Sequence, residues 1–313
     1  MILKKITKYA GINWAPTHIA EQCLALCVTP TGRVIAGSND GIRYSDDNGI
    51  NWVMQLRLSY LYEALCVTPT GRIIAGSSSG FWYSDDNGIN WVQSPGMVVT
   101  SLCVTPTGRI IASTNIGILY SDNNGISWVQ SNAISDDWRS LCVTPTGRII
   151  AGAADKGIWY SDDDGINWTQ STTIRFIPAL CVTSTSRIIA GSGSGIWYSD
   201  DNGINWVQSN DISNTWRSLC VTPTGRIIAG SVNKGIWYSD NNGISWTQSD
   251  KEFKTCNALC TISTNRIIAG NFDGIWYSDT EYTAVCTKYL DQKGAQEIVT
   301  QFKAYCDNLV GGA

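Results

Sequence analysis

Short apolar runs, each closed by a turn signal, recur along almost the whole chain. Between Ser101 and Gln130 there are four: Ser-Leu-Cys-Val-Thr, Arg-Ile-Ile-Ala-Ser, Gly-Ile-Leu-Tyr-Ser and Ile-Ser-Trp-Val-Gln. Runs this short, rich in β-branched and aromatic residues, predict strands rather than helices. The turns agree with that reading. Pro106 presets φ after the first run and Gly108 is free to take φ > 0, while Asn124-Gly125 after the third run is a tight-turn dipeptide. Such turns join neighbours antiparallel, so each unit predicts a four-stranded meander.

The unit repeats at a period of about forty residues. The Leu-Cys anchor puts its cysteine at Cys27, Cys66, Cys103, Cys142, Cys181, Cys220 and Cys260, and a Tyr-Ser-Asp anchor falls at Tyr44, Tyr83, Tyr120, Tyr160, Tyr198, Tyr238 and Tyr277. Both anchors count seven. One such sheet cannot bury both faces without a neighbour on each side, so the pattern predicts an all-β, seven-bladed β-propeller of four-stranded antiparallel blades over residues 1–280.

The seventh unit stops at Ser278-Asp279-Thr280 without a fourth strand, and the chain opens with Gly11-Ile12-Asn13-Trp14, the motif that precedes that strand elsewhere. The first residues are therefore expected to complete the last blade as its outer strand, over 11–16, and so to close the ring.

Composition narrows the function. Charged residues make up 15% of the chain, against 30 Gly and 14 Trp in 313 residues, which suits burial of aromatic rings in a rigid β domain. A net charge of −4 argues against a nucleic-acid partner held through phosphates. No run is apolar for long enough to span a bilayer, so membrane insertion is not expected. Met-Ile-Leu-Lys-Lys lacks an apolar core, so no cleaved signal peptide is expected.

Of the eleven cysteines, seven occupy one site in the first strand of each unit, where a small side chain suits crowded packing near the axis. Cys23 and Cys256 each precede a repeat cysteine by four residues in blades that closure makes adjacent, which leaves a bridge open. The odd total and the lack of Cys-x-x-Cys spacing point instead to free thiols. No metal and no cofactor is expected, and solitary His18 offers no base for a nucleophile.

Ser45-Asp46-Asp47-Asn48-Gly49-Ile50-Asn51-Trp52 resembles the Asp-box, Ser/Thr-x-Asp-x-Gly-x-Thr/x-Trp, of sialidase-like (BNR-repeat) β-propellers, and it recurs at 84–91, 121–128, 161–168, 199–206 and 239–246. The resemblance implies a turn between third and fourth strands whose acid accepts backbone hydrogen bonds: Asp47, Asp86, Asn123, Asp163, Asp201 and Asn241. It also implies a Trp packed between blades. It does not carry catalysis, because sialidases need three converging arginines, a Tyr/Glu pair and an acid/base on unique loops. Arg33, Arg72, Arg109, Arg148, Arg187, Arg226 and Arg266 form a symmetric series instead and are expected to pair with acids beside the boxes.

The copies differ on one side only. In a meander, turns one-to-two and three-to-four share one face, and these are nearly constant. Loops two-to-three and the blade connections share the other, and these vary. Varied loops rich in aromatics and Arg on a rigid scaffold predict a recognition surface, with Tyr60, Tyr62, Trp138, Arg139, Arg175, Phe176, Trp216, Arg217, Phe253 and Lys254 as its candidates. For Trp138 and Trp216, just before the first strand, a second reading is that they plug the gap between blades. Trp82, Trp159, Trp197, Trp237 and Trp276 of the third strands can be core, or sugar-stacking platforms at repeated sites.

After Thr280 the pattern becomes helical, with Ile298, Phe302, Tyr305 and Leu309 on one stripe, predicting a C-terminal helical tail over 281–313. Lys288-Tyr-Leu-Asp-Gln-Lys-Gly294 resembles segments of phage tail and fibre-associated proteins of Gram-positive gut bacteria, which implies a virion-associated setting and a helix serving homo-oligomer or tail contacts. Together these features predict a non-enzymatic module that binds a cell-surface glycan or protein. The alternatives are a sialidase-like glycoside hydrolase and a structural assembly factor gripping one protein partner.

Overall fold

The computed structural model describes residues 2–8, 13–132, 135–209, 213–249, 255–262, 266–278 and 282–288. Seven four-stranded antiparallel sheets form from the predicted units. The first blade is typical: Cys23–Val28, Val34–Ser38, Ile42–Ser45 and Val53–Leu56 pair in sequence order. The first strands of successive blades neighbour one another in a closed circuit, the seventh (Cys256–Thr261) returning to the first. Trp14–Pro16 pairs with Gly274–Ser278 as the outer strand of the seventh blade, and the Thr17 amide donates to the Ile275 carbonyl at 2.9 Å. The ring thus closes within one sheet, as the split motif predicts for Trp14 to Pro16; Gly11 and Ile12 lie outside the described residues.

Every second strand, such as Ile73–Ser77 or Ile149–Ala153, is buried along its whole length. It sits inside its own sheet and between two neighbouring blades, so both faces are apolar or small and no alternation survives. Seven apolar clusters fill the gaps; in one, Ile35 and Ile42 of the first blade meet Tyr62, Ile73 and Trp82 of the second. Burying each such Ile contributes roughly 1.5–3 kcal/mol.

The chain divides into two units, Ala10–Thr280 and the two chain ends. In the second, Ile2–Lys8 pairs antiparallel with Tyr282–Lys288. Neither segment signals this pairing, because its partner lies at the far end of the chain, beyond any local pattern. Of the helical tail expected over 281–313, Tyr282–Lys288 is strand instead, and the apolar stripe from Ile298 to Leu309 lies outside the described residues. Among the described residues there is no helix, and so none long and apolar enough to cross a membrane.

Candidate functional site

The two faces of the disc are built differently. On the constant face each box forms a closed hydrogen-bond set. Asp47 Oδ1 accepts from the Asn51 amide at 2.8 Å and from Ser45 Oγ at 2.8 Å, while Asn51 Nδ2 donates to Asp47 Oδ2 at 2.6 Å. The chain turns through Asn48 and Gly49, both at positive φ (62° and 82°), and Trp52 Nε1 donates back to the Gly49 carbonyl at 3.0 Å. Burial works to raise the Asp47 carboxyl, but the donors at Asn51, Ser45 and Ile50 together hold it below its ordinary range.

Where the box carries an amide, the fourth residue on changes with it. Asn123 Oδ1 accepts from the Ser127 amide at 2.9 Å, and Asn123 Nδ2 donates to Ser127 Oγ at 2.7 Å; Asn241 and Ser245 repeat this. A carboxylate needs a donor opposite and takes Asn, whereas an amide nitrogen needs an acceptor and takes Ser.

The repeated arginines clamp blade to blade. Arg33 donates from Nε and Nη2 to the Asp46 carboxylate at 2.7 and 2.8 Å and from Nη1 to the Asn87 carbonyl of the next blade at 2.9 Å. Its guanidinium lies 3.9 Å over the Tyr44 ring. Arg72, Arg109, Arg148 and Arg187 repeat the triple contact, and Arg226 repeats the carboxylate fork with Asp240. Near the axis this face opens as a funnel of about 730 Å³, lined by Val-Thr-Pro copies such as Val67, Thr68 and Pro69. Equivalent groups surround it, so it has no means of orienting an asymmetric ligand.

The axial mouth on the other face is unlike this. In six blades the first strand carries a β-bulge at its start, as between Cys23 and Ala25 or Trp138 and Ser140. A bulged residue leaves the ladder and its side chain is re-aimed. In the fifth blade the equivalent Pro178 has no N–H for the ladder, and the strand begins at Ala179. The bulge residues are Leu24, Glu63, Thr100, Arg139, Arg217 and Asn257, and with Pro178 and Phe176 they line a mouth of about 130 Å³. Seven equivalent positions thus hold six different residue types, the one repeat being the arginines of the fourth and sixth blades.

Of the predicted candidates, Arg139, Arg217 and Phe176 meet at this mouth. Arg175 is exposed beside it in sequence but does not line it. Tyr60 is half-buried, 6.5 Å from the Trp82 ring. Tyr62, Trp138 and Trp216 have no exposed surface. They fill the gaps between blades, Trp138 packing edge-on to Trp159 and Trp216 to Trp237, so the plugging reading describes their positions. Trp82 is buried in its cluster and Trp159, Trp197, Trp237 and Trp276 pack partly buried against theirs, which places them with the core. Phe253 and Lys254 lie outside the described residues. Leu24, Glu63, Thr100, Pro178 and Asn257 are additions, and their signal is present in the sequence: the residue three before each repeat cysteine varies while the two that follow it stay Ala or Ser and then Leu.

Burial pushes the Glu63 carboxyl above its ordinary range, opposed by the nearby Arg139. Asp137 forms an ion pair with Arg139. The repeat cysteines of the first strands, with Cys23 and Cys256, are free thiols among the described residues, and burial pushes Cys27, for example, up to about 12. No group of described residues is arranged to hold a metal ion.

A family model of the BNR/Asp-box repeat matches residues 43–54, 82–93 and 197–208. The chain therefore carries BNR/Asp-box repeats on a seven-bladed propeller. Comparison with curated proteins gives no match. Among solved structures, the extracellular domain of a hybrid two component system from B. thetaiotaomicron is similar with a TM-score of 0.75 at 12% identity, over 86% of this chain and 40% of that one. YCF48 bound to D1 peptide is similar at 0.70 and 18% identity, over 86% and 95%. The GH74 xyloglucanase from Xanthomonas campestris is similar at 0.70 and 14% identity, over 86% and 54%. At such identities the likeness is one of fold, and the chain spans about 40% of the length of the B. thetaiotaomicron domain.

Proposed function

We propose that this protein is a non-enzymatic recognition module whose varied face, centred on the axial mouth, binds a protein or glycan partner. One observation carries the reading: equivalent positions at the blade starts present Leu24, Glu63, Thr100, Arg139, Pro178, Arg217 and Asn257 around one opening, while the opposite mouth is nearly uniform. Unlike groups around a fixed ring define an orientation for a ligand, and a rigid scaffold keeps the entropy cost of binding low. A solved neighbour of the same fold, YCF48, is bound to a peptide, which supports a protein partner for such a surface. Hydrolysis of a glycoside ordinarily uses two carboxyl groups across the scissile bond, and Glu63 is the one acid among the residues lining the mouth. A virion-associated setting is compatible with this role and rests on the resemblance of residues 288–294 alone.

The test is binding of the full chain to glycan and peptide arrays, compared with two variants. One removes the charged and amide groups of the rim (Glu63→Thr, Arg139→Thr, Arg217→Thr, Asn257→Thr); the other alters the constant face (Thr107→Ala, Thr146→Ala). The rim variant is expected to lose the array signal and the constant-face variant to keep it. Equal signals from both, or turnover of a fluorogenic sialoside or of xyloglucan, would overturn the reading.

A further inference from the structure

Arg217 has no acidic partner among the described residues. Its one hydrogen bond runs from Nη1 to Asn257 Oδ1 at 3.4 Å. A guanidinium only donates, so it turns the amide oxygen of Asn257 towards itself. Asn257 Nδ2 is then left buried without an acceptor. A buried donor with nothing to bond is costly, and here it lies beside a cation that feels the Glu63 carboxyl but forms no ion pair with it among the described residues. Held by the Asn257 oxygen, the guanidinium keeps its other N–H groups for an acceptor from outside, and a negatively charged one suits it best.

The rest of the mouth fits the same ligand. Arg139 reaches it from two blades away, ion-paired with Asp137. Glu63 lines the same mouth, where burial pushes its carboxyl above the ordinary range against the pull of Arg139 and Arg217. Phe176 forms part of the wall at a φ of 53°, an uncommon conformation for a bulky residue. It is held there by its amide bond to the Ala154 carbonyl at 2.7 Å and by the Gly193 amide, which donates to its carbonyl at 2.9 Å. The wall is therefore set before any ligand arrives.

Size selects among anions. The cavity of about 130 Å³ equals roughly four water volumes of about 30 Å³ each. That admits a carboxylate on a short aliphatic stem.

We infer that Arg217, Arg139 and Asn257 form a carboxylate-binding mouth that takes an acidic side chain, or the chain end, of an extended peptide segment. The inference rests on the varied face being the binding face, and adds the chemistry of what enters it.

Fluorescein-labelled peptides report it by anisotropy on the full chain: Gly-Ser-Glu-Ser-Gly-amide, the same peptide with Gln for Glu, and the Gln peptide with a free carboxyl terminus. Binding of the Glu amide assigns a side chain, binding of the free-acid Gln peptide assigns a chain end, and either supports the inference. Arg217→Gln and Asn257→Ala are expected to weaken that binding about 10- to 100-fold, as loss of a charge-assisted hydrogen bond does. Arg57→Gln, exposed and away from the mouth, is expected to leave it unchanged, and the thermal midpoint is expected to stay put in all three variants. Equal binding of the Gln amide, no binding of either acid at about 1 mM, or glucuronic acid binding more tightly than both peptides would overturn it. An array signal that depends on the rim while these peptides fail would leave the recognition reading standing and remove this one.

Discussion

Trp216, at the start of the sixth blade, rests on Gly191 of the fifth: a Cβ at position 191 would lie 2.9 Å from both the Cβ and the carbonyl oxygen of Trp216. The same contact recurs around the ring, with Tyr62 on Gly37, Val99 on Gly76, Ile177 on Gly152, Cys256 on Gly230 and Cys23 on Gly270. A glycine in one blade is thus the socket for the residue that begins the next. The third blade has Ser113 at the socket position, and there Thr100 Oγ1 donates to both the Ser113 and Trp138 carbonyls, the first at 3.2 Å.

Gly191→Ala is expected to destabilise the fold by about 1–3 kcal/mol, because the atoms it meets are backbone or one bond from it and cannot swing away. Urea unfolding checks this. A midpoint equal to that of the unaltered protein would show that the blades slide apart at no cost.

In the fourth blade, Asp163→Asn sets an amide nitrogen against Asn167 Nδ2, which now donates to the carboxylate at 2.6 Å. A loss of about 1 kcal/mol is expected. Adding Asn167→Ser recreates the arrangement of Asn123 and Ser127, so the double variant is expected to regain most of that loss in a double-mutant cycle. Simple additivity of the two losses would contradict the donor–acceptor account.

The same carboxylates give an acid limb. Burial tends to raise Asp47, Asp86, Asp163 and Asp201, and their hydrogen bonds from Asn51, Asn90, Asn167 and Asn205 outweigh it, so all four stand below the ordinary 3.8. Their stabilisation is present above that value and is lost as pH falls through the lower folded-state values. Stability followed from pH 5 to pH 2 is expected to drop less steeply in the Asp163→Asn/Asn167→Ser variant.

The thiols give an alkaline limb of opposite sign. Burial raises Cys23, Cys27, Cys181 and Cys256 from 9.0 to about 12. Their neutral form is the native one, so the contribution is complete below 9.0 and declines as pH rises from there towards 12. At neutral pH a thiol reagent is expected to label the fully buried Cys23 and Cys256 only after denaturant is added, read by mass spectrometry of peptides. Rapid labelling of either in the folded protein would refute its burial.

Deleting residues 1–16 removes Trp14–Pro16 from the seventh blade together with the buried Trp14. The loss is expected to exceed by several kcal/mol that of an ordinary terminal trim, since a large aromatic and an edge pairing go together. Trp14→Ala alone tests the aromatic share. Unchanged melting after the deletion would mean that the ring does not need its own first strand.

Much of this molecule is written in local pattern. Turn dipeptides, strand-length apolar runs and a forty-residue period determine blade number and strand order, because tight turns and the need to cover both faces of each sheet leave few other arrangements. Even the closure at Trp14 was legible, as a motif cut in two. What local pattern could not decide was which way side chains at the blade starts face. Trp138 and Arg139 are adjacent in sequence, yet the bulge sends one into the gap between blades and the other to the axial mouth. Residues such as Glu63 and Asn257 become neighbours only when the ring closes, so their shared environment, and the donor left unmatched at Asn257, belong to the tertiary structure alone. Hydrophobic periodicity specifies what is buried; convergence of distant polar groups on an axis is set by the closure of the whole.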